Sequence, residues 1–174
     1  MTADPTPNAE SAAAAHGRHA SRAPAGSGRG LEQPPARLPT TVVLRHDLPD
    51  GSWHLDWMLQ PGGAACSHPD DRVLVTFRLQ ARPDQLACGA NLPAQRLSPH
   101  RAIYLRFEGD IGGGRGSVTR MAAGEVLTCR VDEAAGRIVV RWDGAADRAV
   151  AGYRLDRLEG DRWQVIATEE CGHR

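Results

Sequence analysis

From residue 40 onward, apolar and polar positions alternate in short runs, each ended by glycine, proline, aspartate or another turn former. Alternation with a period of two predicts strands, and runs this short predict many of them. Thr41-Val42-Val43-Leu44-Arg45-His46 is β-branched, as strands prefer. In Leu48-Pro49-Asp50-Gly51-Ser52, proline suits the first central turn position and glycine accepts a positive φ. That is the chemistry of a three-residue hairpin loop, a type I turn closed by a glycine bulge. The returning strand, Trp53 to Leu59, places Trp53, Leu55, Trp57 and Leu59 on one face as a core stripe. Further strands are predicted at Val73–Leu79, Ala102–Phe107, Ser117–Met121, Glu125–Val131, Ile138–Trp142, Gly152–Leu158 and Trp163–Ala167, with a turn at Glu159-Gly160-Asp161. Only Pro83 to Cys88 reads as even briefly helical. The expected fold is mainly β, a small antiparallel or mixed β barrel (or sandwich) with little helix.

Residues 1–38 break this pattern. They are alanine, proline, glycine, serine and arginine with hardly a large apolar side chain, so they bury too little surface to offset their ordering entropy. The expected organisation is a disordered tail over 1–38, one β domain over 39–168 and a flexible end over 169–174. At 174 residues the chain has room for one domain and not comfortably two. Acidic and basic residues balance at 21 each, so global charge points to no polyanionic partner. Every basic residue is arginine, whose planar fork suits phosphate oxygens. No apolar run is long enough for a membrane span and the N-terminus lacks an apolar signal core, so the expected compartment is the cytoplasm, with no membrane partner. Cys66, Cys88, Cys129 and Cys171 are far apart with no Cys-x-x-Cys pair, which favours incidental thiols over a zinc knuckle. His16, His19, His68 and His173 are assigned no role. Nothing suggests a large exposed apolar stripe, and a monomer is expected.

The candidate chemistry comes from the first hairpin. With Pro49-Asp50-Gly51 as the loop, Leu48 faces Ser52 and His46 faces His54. Cross-strand partners share a face with Cβ atoms roughly 4.5–5.5 Å apart. Alternation puts Asp56 on the same face as His54. Two imidazoles and a carboxylate thus converge on the side away from the tryptophan stripe, a donor set that suits manganese, iron or zinc. A one-residue register slip would scatter them. Any one of these histidines by itself reads more readily as a half-exposed strand residue; the register is what argues for a metal.

A second candidate cluster is His100 and Tyr104, four apart and of equal parity on the expected strand. Histidine can donate a proton to a leaving oxygen and tyrosine can hold the same group; the plainer alternative is an interfacial tyrosine preceded by an unremarkable histidine. Gly112-Gly113-Gly114-Arg115-Gly116 offers backbone amides for an anion, with Arg115 adding charge, although most such runs are simple turns. It lacks the lysine and following helix of a Walker motif. Trp142, Tyr153 and Trp163 read as core packing.

Arg45-His46-Asp47, His54-Leu55-Asp56-Trp57-Met58-Leu59, His100 with Tyr104, and Phe107-Glu108-Gly109, in that order, resemble the 3′-phosphoesterase domain of bacterial DNA ligase D. The texture is closest to the stand-alone, DNA polymerase ligase-like branch of that family. The resemblance runs from about Thr40 to Ala167. It implies a small β barrel and a manganese-dependent hydrolase that processes DNA 3′ ends in repair, removing a terminal ribonucleotide and then a 3′-phosphate. By position, His46, His54 and Asp56 would be the metal ligands, and His100 and Tyr104 would contact the scissile phosphate. Ligase and polymerase domains are missing from this sequence, so partnership with them would be in trans, at the nucleoid when bound to DNA. The family carries an arginine where this chain has Met58, so Arg78, Arg101, Arg106 or Arg115 would have to supply the phosphate contact. Otherwise the domain would be a metal-stabilised module that binds DNA ends or a repair protein without turnover.

Overall fold

The structure, a computed structural model, describes residues 38–62, 67–144 and 150–169. The expected tail up to residue 37, the C-terminal segment from residue 170, Cys66, Cys171, His16, His19 and His173 lie outside the described residues. Among the described residues nine strands form one sheet: β1 Thr41–Asp47, β2 Trp53–Leu59, β3 Arg72–Leu79, β4 Asn91–Arg101, β5 Gly109–Asp110, β6 Ser117–Val131, β7 Ala135–Trp142, β8 Val150–Glu159 and β9 Arg162–Thr168. The order β1-β2-β3-β4-β9-β8-β7-β6 closes on itself through a β1–β6 pairing, and β5 is added to β6. All pairings are antiparallel, so eight strands make a closed antiparallel barrel. Among the described residues there is no α-helix, only 3₁₀ turns at Pro83–Gln85 and Ala102–Leu105, and no helix long and apolar enough to cross a membrane.

Alternation fills the barrel. Leu55, Trp57 and Leu59 from β2 meet Phe77, Tyr153, Trp142, Trp163, Ile138 and Val165 inside, all nearly inaccessible. Trp57 packs edge-on to Tyr153 at 5.1 Å between ring centroids, and Phe77 edge-on to Trp163 at 5.9 Å, the geometry aromatic quadrupoles favour. Trp53 departs from the expected core stripe. It is 46% exposed, because the first residue of β2 stands at the rim of the barrel, where the Arg45 guanidinium lies over its ring at 4.8 Å.

Three segments differ from the sequence reading. Asn91–Arg101 is a strand although Pro93 and Pro99 lie within it. Pro93 pairs only toward β9, since β3 pairing begins at Ala94, and Pro99 falls where the β3–β4 register shifts between Leu74 and Thr76. Neither proline therefore has to donate to a ladder on both sides, which is how strands tolerate proline. The expected strand Ala102–Phe107 is instead a 3₁₀ turn that leads the chain off the end of β4. Ser117–Met121 and Glu125–Val131 are one strand, β6, continuous through Ala122-Ala123-Gly124. A Cβ on Gly124 would sit 2.4 Å from the Arg141 carbonyl oxygen, so glycine here marks a close crossing of β6 and β7 and not a chain break.

A second, smaller apolar cluster lies on the outer face of β1, β2, β3 and β6. Val42, Leu44, Met58, Leu74 and Val118 are covered by Leu105, with Tyr104, Phe107 and Ile111 packed against them. The segment from residue 102 to 116 thus straps the outside of the sheet. Its Glu108 accepts the Arg120 backbone N–H at 2.9 Å, and its Leu105 carbonyl accepts from the Arg120 guanidinium at 3.1 Å. Strand β1 is buried on both faces as a result, which explains its unbroken apolar run Val42-Val43-Leu44.

Candidate metal centre

The first hairpin folds in the register its turn dictates. Leu48 and Ser52 close a three-residue loop, with the Leu48 N–H on the Ser52 carbonyl at 2.8 Å and Gly51 at φ +84°. Asp50 secures it by accepting from the Ser52 backbone N–H and hydroxyl. His46 therefore stands opposite His54, with ring centroids 4.9 Å apart and edge-on. The outer face now reads as rows across the strands: Arg78, Asp56, Leu44 and Arg120 in one, His54, His46 and Val118 in the next.

These rows bring one ligand atom each from His46, His54 and Asp56 to within 4.8 Å of one another. His54 Nε2 lies 3.3 Å from Asp56 Oδ2, and His46 Nδ1 lies 4.0 Å from the same oxygen. Both His54 and Asp56 are buried, at 6% and 4% exposure, and His46 is half-buried. Burial holds the His54 imidazole below its ordinary pKa; the Asp56 carboxylate opposes this, while the Arg78 charge and His46 reinforce it. A neutral imidazole keeps its lone pair for a ligand.

His54 Nε2 and Asp56 Oδ1 are buried without a hydrogen-bond partner, the 3.3 Å approach to Oδ2 lacking hydrogen-bond geometry. A buried polar atom left unpaired costs about 1–3 kcal/mol. Two such atoms in one three-donor cluster leave a cation as a partner the site could hold. The set, two imidazole nitrogens and a carboxylate, fits a divalent transition metal.

Arg78 stands directly across β2–β3 from Asp56, and its Nε is likewise buried and unpartnered. Of the four arginines the resemblance offers for a phosphate contact, it is the one paired directly with a residue of the cluster. The Arg115 guanidinium turns back onto its own loop, donating to the Gly112 carbonyl at 3.0 Å and the Ile111 carbonyl at 2.8 Å. Arg101 donates to Asp70 at 3.0 Å and lies 5.6 Å over the Tyr104 ring. Arg106 is exposed on the strap.

His100 and Tyr104 do meet, with ring centroids 5.9 Å apart, although by a route other than strand parity. His100, the penultimate residue of β4, stands opposite Leu74 with its Nδ1 2.9 Å from the Ser98 carbonyl, and the 3₁₀ turn brings Tyr104 back beside it. Leu74 is four residues along β3 from Arg78, so this pair stands at the other end of the outer face, roughly 13 Å along the strand at ~3.3 Å per residue. Between the two ends the face is apolar apart from the buried Thr76, whose hydroxyl donates to the Leu74 carbonyl at 3.1 Å. Met58, at 1% exposure, packs with Leu74 and Leu105 in the outer cluster.

Two participants were not read from the sequence. One is the Arg115 backbone carbonyl, 2.8 Å from His46 Nε2. The other is Arg120, one strand beyond Leu44, whose buried Nε makes no hydrogen bond and lies 3.8 Å from the Glu108 carboxylate. A backbone acceptor leaves no trace in residue type, whereas Arg120 shares parity with Val118 and was open to the same face argument. No protein-family model matches the chain, and no curated protein matches it.

Proposed function

We propose that this protein is a divalent-metal-dependent phosphoesterase acting on DNA 3′ ends, removing a terminal ribonucleotide or a 3′-phosphate. The observation that carries this reading is the convergence of His46, His54 and Asp56, with His54 Nε2 and Asp56 Oδ1 unpartnered, beside the half-buried Arg78 with its sealed Nε. His46, His54 and Asp56 would hold the ion, with manganese the first candidate. Such an ion supplies Lewis acidity toward a phosphoryl oxygen and lowers the pKa of bound water. Arg78 supplies a charge-assisted hydrogen bond to a phosphate oxygen, the contact that Met58 cannot make. His100 and Tyr104 stand at the far end of the outer face, with Leu105 of the strap covering the face between, and are given no part in the reaction at this ion. The order of residues shared with the ligase D phosphoesterase domain supports the choice of a DNA 3′ end over other phosphate esters. Repair ligases and polymerases are the protein partners this reading implies, and the cytoplasm its compartment.

Met58 favours a second reading, a module that binds DNA ends without cutting them. Its side chain is sealed in apolar packing where the family carries an arginine. One assay separates the two. Purified protein is given a primer–template ending in one ribonucleotide or in a 3′-phosphate, with and without manganese, beside the His54→Ala variant. Manganese-dependent shortening or dephosphorylation that disappears in His54→Ala is the expected result. End binding with no product from either substrate would replace the enzyme with the binding module.

A further inference from the structure

The glycine-rich segment that reads as an anion cradle has another use in the fold. We infer that the loop from Ile111 to Gly116 is the positioning element for His46, fixing through the Arg115 carbonyl which ring nitrogen of that histidine faces the metal centre. This rests on the metal-centre reading above and adds a residue to it that touches neither ion nor substrate.

A carbonyl oxygen can only accept. The 2.8 Å contact between His46 Nε2 and the Arg115 oxygen therefore places the proton of the neutral imidazole on Nε2. Nδ1 is left with its lone pair, and Nδ1 is the nitrogen that lies toward Asp56, at 4.0 Å from Oδ2. Ligating histidines are held in this manner: the distal N–H is given to a carbonyl or carboxylate, which sets both tautomer and ring orientation.

The loop is built to bring that carbonyl into place. Gly116 passes over the end of β1 at φ +86°, and a Cβ there would stand 1.9 Å from the Asp47 carbonyl oxygen. No other residue allows the chain to cross one position past His46 so closely. The Arg115 guanidinium then ties the turn from inside through the Ile111 and Gly112 carbonyls. Asp110 Oδ1 accepts the Gly112 N–H at 2.6 Å, and the Ile111 N–H reaches the Gly116 carbonyl at 2.9 Å. The side chain of Arg115 thus braces the loop while its carbonyl orients the ligand.

The test compares wild type with Gly116→Ala and Arg115→Ala by two readouts. Long-range ¹H–¹⁵N correlation spectra of the metal-free proteins report the His46 tautomer, assigned with a His46→Gln control. Titration with manganese alone, followed by the electron paramagnetic resonance of free ion, reports affinity. Wild type is expected to hold His46 as the Nε2–H tautomer. Gly116→Ala should mix the tautomers and lose about 10- to 100-fold in manganese affinity, the usual cost of removing an outer partner of a ligand. Arg115→Ala, which keeps the carbonyl and loses only the brace, should show a smaller loss in the same direction, and it decides the matter if Gly116→Ala fails to fold. An Nδ1–H tautomer in wild type, or wild-type affinity and tautomer in both folded variants, would overturn the inference. Wild type that binds no manganese, yet holds an Nε2–H tautomer that the variants lose, would remove the metal centre and leave the positioning of His46 standing.

Discussion

At the scale of single residues, Met58 and Arg78 divide the outer face between apolar packing and an unpaired donor. Met58 belongs to the apolar cluster, and truncating a buried methionine to alanine costs about 2–5 kcal/mol through lost contacts and a residual cavity. Arg78 is different: half-buried, with Nε sealed and unpaired next to Asp56, it contributes little packing and an uncompensated donor. We expect Arg78→Ala to leave the fold intact and to weaken binding of a 3′-phosphate-ended DNA by about tenfold or more, the size of one charge-assisted hydrogen bond. Met58→Ala should do the reverse, lowering the urea midpoint while sparing affinity for the end. Fluorescence anisotropy with 3′-phosphate and 3′-hydroxyl oligonucleotides checks both. Equal affinity of wild type and Arg78→Ala for the phosphorylated end would take Arg78 out of the site. The triad was legible because its register is set within one short hairpin, by Pro49-Asp50-Gly51 alone. Arg78 could be named but not placed, since its register against Asp56 depends on the longer connection between β2 and β3, and no local turn rule fixes that.

Among the elements, the hairpins could be read and the crossings could not. The turns after β1 and β8 carry their own signals, proline and glycine in one and Gly160 at φ +57° in the other. Strand β4 was hidden by Pro93 and Pro99, whose tolerance depends on which neighbour each faces and hence on the whole sheet. His100 and Tyr104 were paired by parity on a strand that is a 3₁₀ turn, so the expected contact arose from different geometry. Tyr153 shows how the elements are tied together. Its hydroxyl accepts from Trp142 Nε1 on β7 and donates to the Pro83 carbonyl in the first 3₁₀ turn, both at 2.9 Å. Tyr153→Phe should cost about 1–3 kcal/mol in urea unfolding, because it strands a buried donor and a buried acceptor. Burial also pushes the Tyr153 phenol up to about 12, against an ordinary 10.0. The folded state thus prefers the neutral phenol. The resulting stability is full below pH 10 and is lost as pH rises from 10 toward 12, where the unfolded chain releases a proton that the fold retains. Unfolding at stepped pH should show this alkaline decline in wild type and a shallower one in Tyr153→Phe. Identical declines would mean that other groups govern the alkaline limb.

For the molecule as a whole, the position of the triad relative to barrel closure matters more than its composition. His46 lies on β1, which pairs with β2 on one side and completes the barrel through β6 on the other. His54 and Asp56 lie on β2. An ion held between them would be lost if the β1–β2 pairing opened, so binding selects the closed barrel over every opened state. By mass action, a ligand that binds only the native state at 100 times its Kd adds about 2.7 kcal/mol. Manganese at saturating concentration should therefore raise the urea midpoint of the entire cooperative transition, with the denaturant slope unchanged because the same surface is exposed on unfolding. A chelator should reverse the shift, and His54→Ala should abolish it. A shift that persists in His54→Ala would put the ion elsewhere. A shift in slope without one in stability would mean that it acts on the unfolded chain. The metal-free barrel already spends stability on the unpartnered His54 Nε2 and Asp56 Oδ1. An ion in the site would relieve those two buried atoms and so couple the chemistry of three side chains to the persistence of all eight barrel strands.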